Sequence, residues 1–140
     1  MLSPAFLAIL MVTAGAARAQ VDPNHKDAND KRPSVSLRAS PAVAFAPARI
    51  RLSAELRGGS DDFEALYCPV IEWDWGDGTT SSSAADCAPY EAGKSEIRRR
   101  YSVEHIYRAP GGYRIQFRLK KGTRINGFAQ ATVQVRAGLP

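Results

Sequence analysis

From residue 34 onward, apolar and polar positions alternate with period two over several short stretches, and no window carries a helical stripe of useful length. Ile50, Leu52, Ala54 and Leu56 alternate with Arg49, Arg51, Ser53 and Glu55. Tyr113, Ile115, Phe117 and Leu119 alternate with Arg114, Gln116 and Arg118. Successive side chains of an extended chain point to opposite faces, so both stretches predict half-buried strands. Val35, Leu37 and Ala39 predict a first strand, and Ala129, Ala131, Val133 and Val135 a last one. Ile97 and Tyr101 mark a strand over residues 96–101, leading into Val103 to Tyr107. The prolines at 41 and 47 bracket a crossing or edge connection, because proline removes a ladder donor. Gly58-Gly59-Ser60-Asp61-Asp62 reads as a loop and Ala109-Pro110-Gly111-Gly112 as a turn. Lys120-Lys121-Gly122 and Asn126-Gly127 supply turn chemistry on either side of a short excursion.

The most distinctive stretch is Trp73-Asp74-Trp75-Gly76-Asp77-Gly78-Thr79-Thr80. On a strand Ile71, Trp73 and Trp75 project to one face, and Val70, Glu72 and Asp74 to the other. The glycine-flanked aspartate then closes a tight turn, and a long polar segment runs from Thr79 to Lys94. About seven short antiparallel strands without helices predict an all-β, two-sheet sandwich of the immunoglobulin kind.

Two motifs in order carry a family resemblance. An aromatic-aspartate-aromatic strand ends in Gly-Asp-Gly (Trp73, Asp74, Trp75, Gly76, Asp77, Gly78). A His-x-Tyr pair (His105, Tyr107) then precedes Pro110-Gly111 and the Tyr113 strand. In both, the chain resembles a PKD domain, over roughly Ser34 to Val135. The resemblance implies an immunoglobulin-like β-sandwich of exported and cell-surface proteins, a module that usually occurs as repeats or as an appendage to enzymes, adhesins or surface-layer proteins. It also implies that the motif residues are architectural.

A chain of 140 residues is long enough for one ordinary domain. Residues 5–12 are an apolar run too short to span a bilayer, and Ala17-Arg18-Ala19 fits a cleavage site, which predicts a signal peptide over residues 1–19. The polar stretch 20–33 reads as a flexible linker, 34–137 as the PKD-like domain and 138–140 as a tail. Export makes Cys68 and Cys87, the two cysteines of the chain, a predicted disulfide. Closing a loop of about twenty residues stabilises by about 3 kcal/mol on the chain-entropy model. Cys68 has the outward parity, so the bridge should pin an outer loop. The net charge of +5 falls to about +4 once Arg18 leaves, a surplus too modest to identify a partner. Export excludes nucleic acid, and the mature chain holds no second apolar run of membrane length.

The candidate chemistry is sparse. Asp74 and Asp77 bring two carboxylates where calcium wants six to eight oxygens, and turn geometry accounts for Asp77 more simply. Asp22, Asn24, Asp27 and Asp30 do not follow the spacing of a helical-hand calcium loop. His105 has no nucleophile or catalytic carboxylate pair implied beside it and reads as a strand-end histidine bonded to a neighbouring turn. Tyr107 reads as a corner tyrosine. No catalytic residue, metal or cofactor is expected. Arg98, Arg99, Arg100, Arg114 and Arg118 are the candidate anionic-ligand face, with Glu72 and Asp74 expected to neutralise Arg114 and Arg118 across neighbouring strands. These readings predict a non-catalytic exported binding or spacer module for an extracytoplasmic protein or glycan. The alternatives are a structural subunit of a larger envelope assembly or a small secreted enzyme without a recognisable motif.

Overall fold

The computed structural model describes Gly15 and residues 31–139, so all of the predicted signal peptide but Gly15 and most of the predicted linker lie outside the described residues. Strand β3 (Ala48–Arg57) is the centre of a three-stranded sheet because Ile50, Leu52, Ala54 and Leu56 bury one face while Arg49, Arg51 and Ser53 face water. It pairs antiparallel with β1 (Ser34–Ser40) on one side and β6 (Arg100–Tyr107) on the other. The second sheet has five strands in the order β2 (Val43–Phe45), β8 (Arg124–Arg136), β7 (Gly111–Lys121), β4 (Val70–Asp74) and β5 (Thr80–Ser83). Ile115, Phe117 and Leu119 of β7 and Val133 and Val135 of β8 meet the inward residues of β3 in one continuous core. The all-β, immunoglobulin-like sandwich expected from the alternation is the observed architecture.

Several elements differ from the sequence reading. The described residues form eight strands, and the two unforeseen ones are β2 and β5. The strand expected over residues 96–101 begins only at Arg100 and continues unbroken through Tyr107. Residues 96–99 are irregular, yet Ile97 is buried and its amide donates to the Asp61 carbonyl at 2.7 Å. Between the two prolines, β2 runs parallel to β8 for three residues, a short edge strand whose length those prolines limit.

Asn126-Gly127 is not a turn. The β7–β8 hairpin turns instead around Gly122, whose φ is +58°, with Lys121 paired to Arg124. Beyond it the register shifts from Lys120↔Ile125 to Leu119↔Gly127, so Asn126 is the extra residue of a β-bulge. Residues 31–33 also depart from the linker reading. Pro33 is buried and the Ser60 amide donates to the Lys31 carbonyl at 2.8 Å. A Cβ on Gly59 (φ +63°) would lie 2.5 Å from that same carbonyl oxygen, so this docking requires glycine there.

Phe117 sits in the middle of the sandwich, with its ring 4.6 Å from Trp73 and 5.3 Å from Tyr101 between centroids. Phe117→Ala should therefore lower the unfolding free energy by about 3–5 kcal/mol in urea titrations. A loss below about 1 kcal/mol would mean that this core is not packed as described.

Candidate functional site

The Trp73–Thr79 stretch builds a turn at the end of β4. Asp74 Oδ1 accepts from the Gly76 amide at 3.0 Å, and the Trp75 amide donates to the Thr79 carbonyl at 3.1 Å. Asp77 Oδ1 accepts from both the amide and the hydroxyl of Thr79. Gly76 has φ +75°, and a Cβ there would lie 2.4 Å from the Arg114 carbonyl oxygen, so no other residue fits between the turn and β7.

From this turn an aromatic stack crosses between the sheets. The rings of Trp73 and Trp75 lie 5.3 Å apart and 4° from parallel, and Trp75 stacks on His105 at 4.3 Å and 2°. His105 Nε2 is 2.8 Å from Asp77 Oδ2, so a histidine of β6 holds the turn that follows β4. Two residues on, the buried Tyr107 hydroxyl donates to the Trp75 carbonyl at 2.7 Å. Burial pushes the Tyr107 phenol well above its ordinary range, which keeps it a donor at any physiological pH. The Tyr107 ring also lies 4.2 Å from that of Tyr113, whose hydroxyl donates to the Ala109 carbonyl and so spans the Pro110-Gly111 turn.

This arrangement has the form of an acid-base pair whose partners hold the turn. The Thr79 hydroxyl donates to Asp77, not to His105, and Trp75 covers one imidazole face. Among the described residues no three His, Cys, Asp or Glu side chains gather as a metal site would need.

The five arginines do not share a face. Arg114 and Arg118 are on β7 in the five-stranded sheet, whereas Arg98, Arg99 and Arg100 precede or begin β6 in the other. Arg118 meets Glu72 at 2.8 Å and lies 4.0 Å from Asp74, and Lys120 meets Glu72 at 3.3 Å. Hydrogen bonds from Arg118 and then Lys120 hold the Glu72 carboxyl below its usual range. Arg114 pairs in register with Thr132 and forms no ion pair among the described residues, so Glu72 and Asp74 neutralise Arg118 but not Arg114. Arg99 is tied to Asp61 and to the carbonyls of Leu56 and Gly58. Arg98 lies over the Tyr101 ring at 4.5 Å, and its Nε donates to the Arg100 carbonyl.

No family model and no curated protein matches the sequence. Among solved structures, the PKD domain of an M14-like peptidase from Thermoplasmatales archaeon SCGC AB-540-F20 is similar over 76% of this chain and 98% of its own, at TM-score 0.51 and 11% identity. The fold is that of a PKD domain. Two looser similarities are to the CARDB domain of a Pyrococcus furiosus protein, solved in complex with di-metal ions, and to a superoxide reductase from Ignicoccus hospitalis. The first has TM-score 0.44 and 11% identity, covering 77% of this chain and 97% of the other. The second has TM-score 0.41 and 11% identity, with coverages of 83% and 92%. At such similarity neither informs the chemistry here.

On this PKD sandwich the predicted disulfide is formed: Cys68 is bonded to Cys87, and the bridge lies outside the core. The tethered segment packs back on residues 61–67. Tyr90 donates to the Asp62 carbonyl, the Gly93 amide to the Asp62 carboxylate and Tyr67 to the Ala88 carbonyl. At the same end of the fold lies a cleft of about 450 Å³ lined by Phe63, Glu64, Ala65, Lys121, Arg124 and Asn126. The sequence pattern did not single it out, because its residues come from segments some sixty positions apart and only the bulge brings Asn126 to it.

Asp77 supplies a pH test of the turn. Burial alone raises its carboxyl, but the Thr79 hydroxyl and His105 outweigh that and leave it below the ordinary 3.8. A carboxyl depressed in the folded state stabilises fully above its unfolded value, and the effect is lost as pH falls through the folded value. Wild type should therefore exceed Asp77→Asn in stability at pH 6, with the gap closing below about pH 4. A gap that is constant from pH 6 to pH 2 in urea titrations would rule this out.

Proposed function

We propose that the chain is a non-catalytic, exported binding or spacer module that engages an extracytoplasmic protein or glycan. The observation that carries this reading is the use of His105, Asp77, Thr79 and Tyr107. These are the groups on which an enzyme could be built, and each is engaged in holding the turn or joining the sheets. Export is supported by the signal-like segment at residues 1–19 and by the Cys68–Cys87 bridge, since disulfides persist in oxidising compartments. No helix among the described residues is long and apolar enough to cross a membrane.

A second reading, a structural subunit of an envelope assembly, is favoured by one feature. Val43 and Phe45 on edge strand β2 are 52% and 58% exposed, which is unusual for large apolar side chains on a free sheet edge.

Affinity capture of the mature chain from its native envelope fraction, at low and at high salt, separates the two. Binding module and glycan ligand predict retention that weakens as salt rises. Recovery of the same discrete protein at both salts would favour the assembly reading. Substrate turnover that His105→Ala abolishes would overturn the non-catalytic one.

A further inference from the structure

The cleft beside the β7–β8 hairpin brings cations without an acid partner together around one concavity. Several cations on other surfaces meet acids: Arg49 and Arg51 share Glu104, Arg57 meets Glu55, Arg99 meets Asp61, and Arg118 and Lys120 share Glu72. Exposed Arg114 meets none among the described residues, but it lies on the outer face of a strand and does not line this cleft. At the cleft, Lys121 and Arg124 form no ion pair among the described residues. Lys121 Nζ donates to the Glu64 carbonyl at 2.7 Å, which holds the ammonium at the rim instead of letting it extend into water. Arg32 adds a third cation nearby, with its guanidinium 5.6 Å from the Phe63 ring centre and 3.3 Å from the Asn126 carbonyl oxygen.

The wall between these cations is built. The bulge turns Asn126 inward, leaves it 8% exposed and lets its Nδ2 donate to the Ala65 carbonyl at 2.9 Å. Gly127 follows because a Cβ there would come within 3.2 Å of Leu119 and Val35. Asn126 is the one buried polar residue of the described core, and its bond fixes the Glu64–Leu66 turn against the hairpin.

We infer that this cleft binds a uronic-acid residue of an anionic polysaccharide, an assignment that rests on the binding-module reading. Two unpaired cations suit one carboxylate, and an arginine holds a carboxylate through paired hydrogen bonds. Glu64 and the Asn126 amide offer an acceptor and mixed donor-acceptor groups, which suit sugar hydroxyls. A uronic-acid ring presents hydroxyls to Glu64 beside its carboxylate, and a glutamate side chain presents none, so an acidic peptide fits less well. The volume lies within the range of small-ligand sites.

The test is calorimetric titration of the mature chain with oligogalacturonate, with the neutral galactose oligomer and with polyglutamate. Binding of oligogalacturonate is expected, weakening as salt rises, with no binding of the neutral oligomer. Arg124→Ala, at an exposed hairpin position, should weaken it about tenfold or more, the worth of one charged hydrogen-bonded partner. Arg49→Ala, on the outer face of the three-stranded sheet, should leave it unchanged, and thermal melts should establish that both variants fold. The inference is overturned if oligogalacturonate does not bind, if polyglutamate binds as tightly, or if Arg124→Ala binds like wild type. Should any of these occur while envelope capture still shows retention that weakens as salt rises, only the cleft assignment falls and the binding-module reading stands.

Discussion

The Trp75 carbonyl is the point on which the sandwich turns. It lies just past the end of β4, where the chain has left its strand partners, and a buried carbonyl without a donor is costly. Tyr107 supplies that donor from the opposite sheet. The same segment of β6 contributes His105 to Asp77, and the rings of His105 and Tyr107 sit edge to face at 4.8 Å. The turn after β4 is thus held by side chains of the other sheet, and Gly76 lets it press against the β7 backbone. Aromatic stacking from Trp73 to His105 fills the space that this clasp encloses.

The clasp and the cleft occupy opposite ends of β7. Arg114 touches the Gly76 turn near one end, and Lys121 lines the cleft at the other, about 23 Å away at the rise of a strand. One end is consumed by architecture. At the other, the disulfide-tethered segment buttresses residues 61–67, which supply Phe63 and Glu64 to the cleft. The bridge therefore acts on the cleft wall more than on the core, and the long polar segment that carries Cys87 is a support for that wall.

Much of the fold was legible because burial on one face writes itself as alternation. Ile50 to Leu56 and Tyr113 to Leu119 show it most clearly, and their inward residues are buried except for the half-buried Tyr113. The Gly-Asp-Gly turn was legible because its chemistry is local, whereas Tyr107, read as a corner tyrosine, bonds the Trp75 carbonyl across the sandwich, a partner that the sequence pattern did not name. The missed strands have no such signature. β5 is Thr-Ser-Ser-Ser, exposed along its whole length, and β2 is three residues on an edge, so neither is specified by a buried face. Of the two candidate turns the hairpin uses Lys120-Lys121-Gly122 and not Asn126-Gly127, and the bulge at Asn126 is visible only in the register. The arginines misled for a related reason. Adjacency in sequence does not say which sheet a residue joins, and Arg98 to Arg100 and Arg114 to Arg118 went to different ones.

The central claim is that His105 and Tyr107 act as one clasp and not as two independent contacts. A double-mutant cycle in urea, with His105→Ala, Tyr107→Phe and the double variant, measures this directly. Residues that share one contact network couple by about 0.5–3 kcal/mol, and a coupling in that range is what the clasp predicts. Losses that add to within about 0.3 kcal/mol would contradict it.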